Sequence, residues 1–171
     1  MPESPSPRII VRHAAEADAA AVLNLQEQIF FGDVNSLTDD ELREPGRDQS
    51  LIVLVAEMAG DIAGFAALRN RRLRPWTSID FLCAAPHAAG RGIGGKLLEA
   101  ASIHAARPVL RLYVRPSNTA ARALYARQGF RHTATREANY ADGEDAMVQM
   151  KWIGLRLLRH RLAIIEGPLL Q

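Results

Sequence analysis

Residues 79–95 constrain this chain more than any other stretch. An apolar, strand-like run ends at Pro86, and four glycines (Gly90, Gly92, Gly94 and Gly95) follow within six positions. An Ala/Leu-rich helical segment starts directly behind them. Strand, glycine loop and helix in that order aim several backbone N–H groups at one point. First-turn amides have no intrahelical acceptor, the helix dipole adds partial positive charge, and glycines let an anion come close. The stretch therefore predicts a site for a phosphorylated ligand within a fold that mixes strands and helices.

The surrounding pattern supplies the rest of the fold. Residues 8–12 read as an edge strand, and Val22, Leu25 and Ile29 recur at helical spacing behind Asp18, a candidate N-cap for a helix over 18–29. Thr38 and Glu41 make a capping box with Leu37 and Leu42 as its staple, and Pro45-Gly46 stops that short helix. Runs at 51–57 and 62–68, joined by Met58-Ala59-Gly60-Asp61, predict a hairpin. A basic loop over 69–75 leads to a strand over 76–84, the glycine loop, and a helix to about residue 106. A strand over 109–114 precedes a helix capped by Ser117 or Asn118 and ended by Gly129. Two last strands are predicted over 130–136 and 146–152. This order predicts a mixed α/β domain in which strands flanking helices run parallel.

Composition narrows the class. With 171 residues, 48% of them hydrophobic, the chain can bury a core without staples. The lone Cys83 fits a reducing compartment, no apolar stretch approaches bilayer length, and the Pro/Ser-rich residues 1–7 read as a frayed tail. A cytoplasmic protein without a membrane partner is expected. His13, His87, His104, His132 and His160 lack metal-ligand spacing, so no metal is expected either. The net charge of +2 is unevenly spread, because Arg107, Arg111, Arg115, Arg122, Arg127, Arg131 and Arg136 fall in a span without acids. Such a span suits a polyanionic ligand or a solvated basic face. Nucleic acid is not expected, since aromatic interleaving is thin beyond Tyr113, Tyr125 and Phe130. Residues 153–171 carry Leu155, Leu158, Leu162, Ile165 and Leu169 three and four apart among arginines. That amphipathic extension is expected to pack on its own domain or in a homodimer.

Gly90-x-Gly92-x-x-Gly95 formally fits the dinucleotide fingerprint. It follows a hairpin, however, and lacks both the acidic residue about 20 positions on and room for a second half. A Walker loop is excluded because no Gly-Lys-Ser/Thr follows.

The run from Leu82 through Ala89-Gly90-Arg91-Gly92-Ile93-Gly94-Gly95-Lys96 to Leu98 resembles the acetyl-CoA-binding motif of the GNAT superfamily of N-acetyltransferases. Downstream, Asn118-Thr119-Ala120-Ala121-Arg122-Ala123-Leu124-Tyr125 and Gly129-Phe130 resemble that family's second motif. The resemblance covers residues 8–152 and implies one GNAT-type domain. Its sheet would be mixed and mostly antiparallel, flanked by helices, with a parallel pair splayed at the cofactor site. It implies acetyl-CoA as donor, held by Leu82, Cys83, Ala84, Ala89, Gly90, Arg91, Gly92, Ile93, Gly94, Gly95, Lys96, Asn118, Ala121 and Tyr125. Tyr125 is the implied general acid, and Asp80 or Glu57 the base acting through water. Ala89 departs from the motif, which opens with Arg or Gln, so backbone amides must carry the phosphate contact there. In a family that transfers directly, Cys83 is structural.

The implied acceptor is a primary amine, on a small molecule or a protein N-terminus or lysine. Phe30, Phe31 and the acids within 33–44 could frame its entrance, or simply form a solvated acidic loop. Asn139-Tyr140 with Glu144-Asp145-Ala146 resembles the branch that acetylates protein N-termini, although Tyr113 stands where that branch has a catalytic Glu. Two rivals remain: a non-catalytic acyl-CoA-binding module, and a nucleic-acid-binding protein.

Overall fold

The computed structural model describes residues 8–29 and 36–154. The expected tail at 1–7, Phe30, Phe31, Asp33 and the leucine stripe beyond residue 154 lie outside the described residues. The strands are β1 (Ile9–His13), β2 (Leu51–Met58), β3 (Asp61–Arg69), β4 (Thr77–Ala84), β5 (Val109–Val114), β6 (Arg131–Arg136) and β7 (Ala146–Trp152). The helices are α1 (Ala19–Ile29), α2 (Asp39–Arg43), α3 (Ile93–His104) and α4 (Thr119–Arg127). The seven strands form one mixed sheet in the order β1-β2-β3-β4-β5-β7-β6. β4 and β5 pair in parallel, as a right-handed crossover through a helix requires. β5 and β6 flank α4 yet are not neighbours, because β7 inserts between them and pairs antiparallel with both.

The chain divides into two compact units, one within Met1–Ala67 and Phe81–Ala100, the other within Leu68–Asp80 and Ala101–Gln171. In the first, β2 and β3 are joined by Ala59 and Gly60, both with positive φ, which matches the twist of a tight hairpin. β3 is buried along nearly its whole length, so its run Ala63-Gly64-Phe65-Ala66-Ala67 is apolar without alternation. Phe65 packs against Phe81 of β4 at 6.4 Å between ring centroids. The capping box at α2 forms as expected: Glu41 N–H donates to Thr38 Oγ1 (3.2 Å), and Thr38 N–H donates to Glu41 Oε2 (3.0 Å). Asp18 does not cap α1. It closes a 3₁₀ turn, accepts from Ala15 N–H at 2.8 Å, and pairs with Arg12 at 2.6 Å, because the longer reach back to β1 satisfies a nearly buried carboxylate with a full charge. Buried Gln26 clamps residue 37 from both sides, donating to Leu37 O (3.0 Å) and accepting from Leu37 N–H (2.8 Å).

In the second unit, Thr77 and Ile79 of β4 lie beside Leu110 and Leu112 of β5 on one buried face, and Val148 of β7, opposite Tyr113, is buried on the other. The parallel ladder is three pairs long, Thr77 to Ile79 against Leu110 to Leu112. Asn118, not Ser117, is the N-cap of α4. α3 ends at His104, slightly short of the expected residue 106. β6 is the edge strand, and all six of its residues are exposed.

Candidate active site

β4 ends in a 3₁₀ turn over Pro86–Ala88, and the turn delivers the chain to the glycines. Ala89 N–H donates to Pro86 O at 3.2 Å and Arg91 N–H to Ala88 O at 3.3 Å, which holds the loop in shape. Gly90 and Gly92 sit at φ +76° and +85°, a region that L side chains rarely enter, and among the described residues a Cβ on either would meet no atom within 4 Å beyond its chain neighbours. The first α-helical bond of α3 runs from Lys96 N–H to Gly92 O at 3.0 Å. The amides of Ile93, Gly94 and Gly95 precede it and have no place in the helical ladder. Among the described residues the loop therefore leaves these donors outside the helical ladder and open space beside them, at the positive end of a helix. Ala89 and Arg91 are exposed, and Lys96 pairs with Glu99 at 3.0 Å.

The strand leading in is held by a close approach that sequence reading missed. A Cβ on Gly64 would lie 2.5 Å from Cys83 O, 2.7 Å from Ile93 Cγ2 and 3.2 Å from Ala84 Cα. Gly64 thus lets β3 lie against the end of β4 and the first residue of α3, and Ala85 N–H donates to Ala63 O at 2.8 Å beside it. A glycine inside an apolar strand was the available signal. Leu82 and Ala84 are half-buried, and Cys83 is buried. Burial pushes the Cys83 thiol up to about 12, against the opposing hydrogen bond from the Phe65 backbone, so it is no nucleophile at neutral pH.

In the second unit, Tyr125 sits at the C-terminal end of α4. Gly129 takes φ +85° just past the helix, Gly129 N–H donates to Ala126 O (3.1 Å), and Phe130 N–H donates to Tyr125 O (3.0 Å). This is a Schellman motif, and its hydrophobic contact is Tyr125 against Phe130, 5.7 Å between centroids. Tyr125 is buried, and burial, with a smaller effect of Tyr140, raises its phenol to about 12. Among the described residues its hydroxyl has no hydrogen-bond partner. At the other end of α4, Asn118 Oδ1 accepts from Ala121 N–H at 3.0 Å, so both residues are engaged in the cap.

The two candidate bases are both ion-paired. Asp80 lies 3.0 Å from Arg69 Nε, and Glu57 lies 3.4 Å from Arg12 Nε. They fall in different units, each on its own strand. The structure also assembles a hub that the sequence did not disclose. Arg115 bonds Asp142 (2.7 Å) and Glu144 (2.9 Å) and stacks on Tyr140 at 3.8 Å from the ring centroid. Glu144 Oε1 accepts from Ser117 N–H at 2.9 Å, and the Ser117 and Arg115 bonds hold its carboxyl down to about 2. The β6–β7 connection is thereby tied to the residues that begin α4. A cavity of about 270 Å³, lined by His13, Glu41, Leu42, Asp48 and Val53 among others, includes none of the site residues.

Residues 19–130 match the model of the acetyltransferase (GNAT) family. The chain is 30% identical to the uncharacterized N-acetyltransferase YhfO of Bacillus subtilis (strain 168), over 70% of this chain and 88% of that one. The chain belongs to the GNAT acetyltransferase family. It is also 32% identical to the N-alpha-acetyltransferase RimI of Mycobacterium tuberculosis, over 76% of this chain and 84% of that one. Among solved structures it shares its fold with yncA of Salmonella typhimurium, a putative acetyltransferase determined with its cofactor acetyl-CoA. The TM-score is 0.72 and the identity 21%, over 86% of this chain and 95% of that one. The glycine loop sits between β4 and α3, and Tyr125 sits on α4. Among the described residues no helix is long and apolar enough to cross a membrane, and no three His, Cys, Asp or Glu gather to hold a metal.

Proposed function

We propose that this GNAT acetyltransferase transfers the acetyl group of acetyl-CoA directly to a primary amine. The observation that carries the reading is the loop at 90–95, where two positive-φ glycines open onto free space before the unused amides of α3. When bound, acetyl-CoA supplies an activated thioester. The Gly90, Gly92, Ile93, Gly94 and Gly95 amides hold its pyrophosphate, with the N-terminal dipole of α3 adding to the field. Ala89 contributes no side chain, so this contact rests on backbone alone. Backbone groups of Leu82, Cys83 and Ala84 take the pantetheine arm and polarise the reacting carbonyl.

Tyr125 donates the proton as the C–S bond breaks and the amine nitrogen bonds the acetyl carbon. A phenol raised to about 12 is fully protonated at neutral pH, as the donor must be. The apolar surroundings that raise the phenol raise a thiolate beside it for the same reason, which favours the transfer. Asp80 or Glu57 receives the amine proton through water, and either must share its carboxylate with an arginine. The acceptor class spans small amines and peptide N-termini; the similarity to a relative named as an N-alpha-acetyltransferase supports keeping the latter. The ion-paired bases and Ala89 favour one second reading, a GNAT module that binds acyl-CoA without turnover. Calorimetric titration with acetyl-CoA, followed by a thiol-release screen of amines and peptides, separates the readings. Saturable binding with release supports transfer, binding without release supports the module, and no binding by folded protein refutes both.

A further inference from the structure

The second unit carries the chain's positive charge. Its described residues hold eleven Arg and one Lys against five Asp and Glu, seven positive charges in excess within a chain of net +2. On the sheet face opposite the buried Leu110 and Leu112, arginines and aromatic rings alternate. The register sets Ser78 beside Arg111, and Trp76, in the bend just before β4, brings its ring against Arg111 of β5. Arg74 lies 5.5 Å and Arg111 4.5 Å from the Trp76 ring centroid. Arg111 then lies 4.7 Å, and Arg136 of β6 5.3 Å, from the Tyr113 ring. Arg111 also donates to the Tyr113 hydroxyl. Among the described residues no carboxylate pairs with Arg74, Arg111 or Arg136.

Arg111, with its Nε buried and its Nη2 donating to Tyr113, braces the two rings, while the guanidiniums of Arg74 and Arg136 keep their planes fixed and their N–H edges available, so little rotamer entropy is lost when they meet an anion. Arg74, Tyr113 and Arg136 are exposed, and Trp76 is half-buried. The ladder thus alternates planar surfaces that a base can stack on with forks that match a phosphate. An acidic peptide matches the charge and the guanidinium forks, but its carboxylates bring no aromatic ring to stack on this face. We propose that this face binds single-stranded nucleic acid, phosphates on the guanidinium edges and bases on Trp76, Tyr113 and the outer guanidiniums. This reverses the expectation from sequence, where Trp76 stood 35 positions before Arg111 and counted toward no cluster. It stands apart from the acetyl-transfer reading, and its test contains no acetyl-CoA.

The test is fluorescence anisotropy of the full chain with a labelled mixed-sequence single strand, DNA or RNA, of about 20 nucleotides, over a salt series, with polyglutamate as the peptide probe. Two phosphate contacts, one each at Arg74 and Arg136, give a slope of log K against log salt of about −1.4. Arg74→Glu with Arg136→Glu, both on exposed side chains, is expected to weaken binding about tenfold or more and remove that slope. Trp76→Ala is expected to weaken binding about fivefold or more with the slope kept, the signature of stacking rather than charge. An unchanged melting temperature certifies that each variant is folded. No saturable binding at low salt, binding indifferent to both variants, or polyglutamate bound as tightly as the oligonucleotide would each overturn the proposal.

Discussion

Gly60 and Gly92 offer a matched pair that isolates what the glycine loop is for. Both hold φ near +90° (+92° and +85°), and among the described residues a Cβ on either meets no atom within 4 Å beyond its chain neighbours. An alanine at either position therefore costs only the left-handed backbone strain, about 1–2 kcal/mol. In a chain of this size that lowers the melting temperature by about 2–4 °C per kcal/mol, so the two variants should melt within a few degrees of each other. Their ligand behaviour should part. At Gly60, in the β2–β3 turn, the methyl faces solvent. At Gly92, on the proposed function, it occupies the space that a phosphate takes before the α3 amides. Lengthening even one such charge-assisted contact removes about 1.5 kcal/mol or more, which is more than tenfold in Kd. Thermal unfolding paired with calorimetric titration of acetyl-CoA reads both quantities on the same samples. Equal donor affinity in Gly60→Ala and Gly92→Ala would refute the phosphate assignment. A stability loss at Gly92 several kcal/mol beyond that at Gly60 would show the loop's shape to be structural.

Tyr125→Phe removes a hydroxyl without a partner among the described residues, so stability should change by less than about 1 kcal/mol while single-turnover rate falls about 10²-fold and donor affinity holds; an unchanged rate sinks the acid role. Gly64→Ala forces a methyl to within 2.5 Å of Cys83 O and 2.7 Å of Ile93 Cγ2, and a cost of about 1–3 kcal/mol by urea unfolding is expected, together with weaker donor binding because Ile93 opens α3. A fully stable Gly64→Ala protein would mean β3 and β4 part more easily than the packing implies. Asp18 is held below the ordinary carboxylate range chiefly by its hydrogen bond from Arg12. Its contribution is present above about pH 4 and disappears as pH falls through its depressed native value, so wild type should lose melting temperature below pH 4 more steeply than Asp18→Asn. Parallel pH profiles for the two would contradict that coupling.

The features legible in the sequence are those written in neighbouring residues. Thr38 and Glu41 cap α2 as their spacing demands, Ala59-Gly60 turns the hairpin, and Gly129 ends α4. Each depends on backbone sterics or on a side chain reaching three or four positions. The glycine loop was visible for the same reason. Asp18 shows where such local reasoning stops: a residue with every mark of an N-cap instead pairs with Arg12, because a strand six residues earlier in the chain offers its nearly buried carboxylate a countercharge. The insertion of β7 between β5 and β6 was equally hidden, since chain order says nothing about which edge a returning strand takes.

By itself, then, the sequence determined the strands and main helices, the cap of α2, the hairpin turn, the glycine loop before α3 and the tyrosine of α4. Tertiary structure alone decided that Gly64 must stay bare against Cys83 and Ile93, and that Arg115 gathers Tyr140, Asp142 and Glu144. It also decided that Trp76 joins Arg111 and Tyr113 on one face. The physical reason is reach. Local features are set by dihedrals and hydrogen bonds spanning a few residues, whereas these contacts depend on strand register, and a slip of one residue between β4 and β5 would put Ser78 and Arg111 on opposite faces.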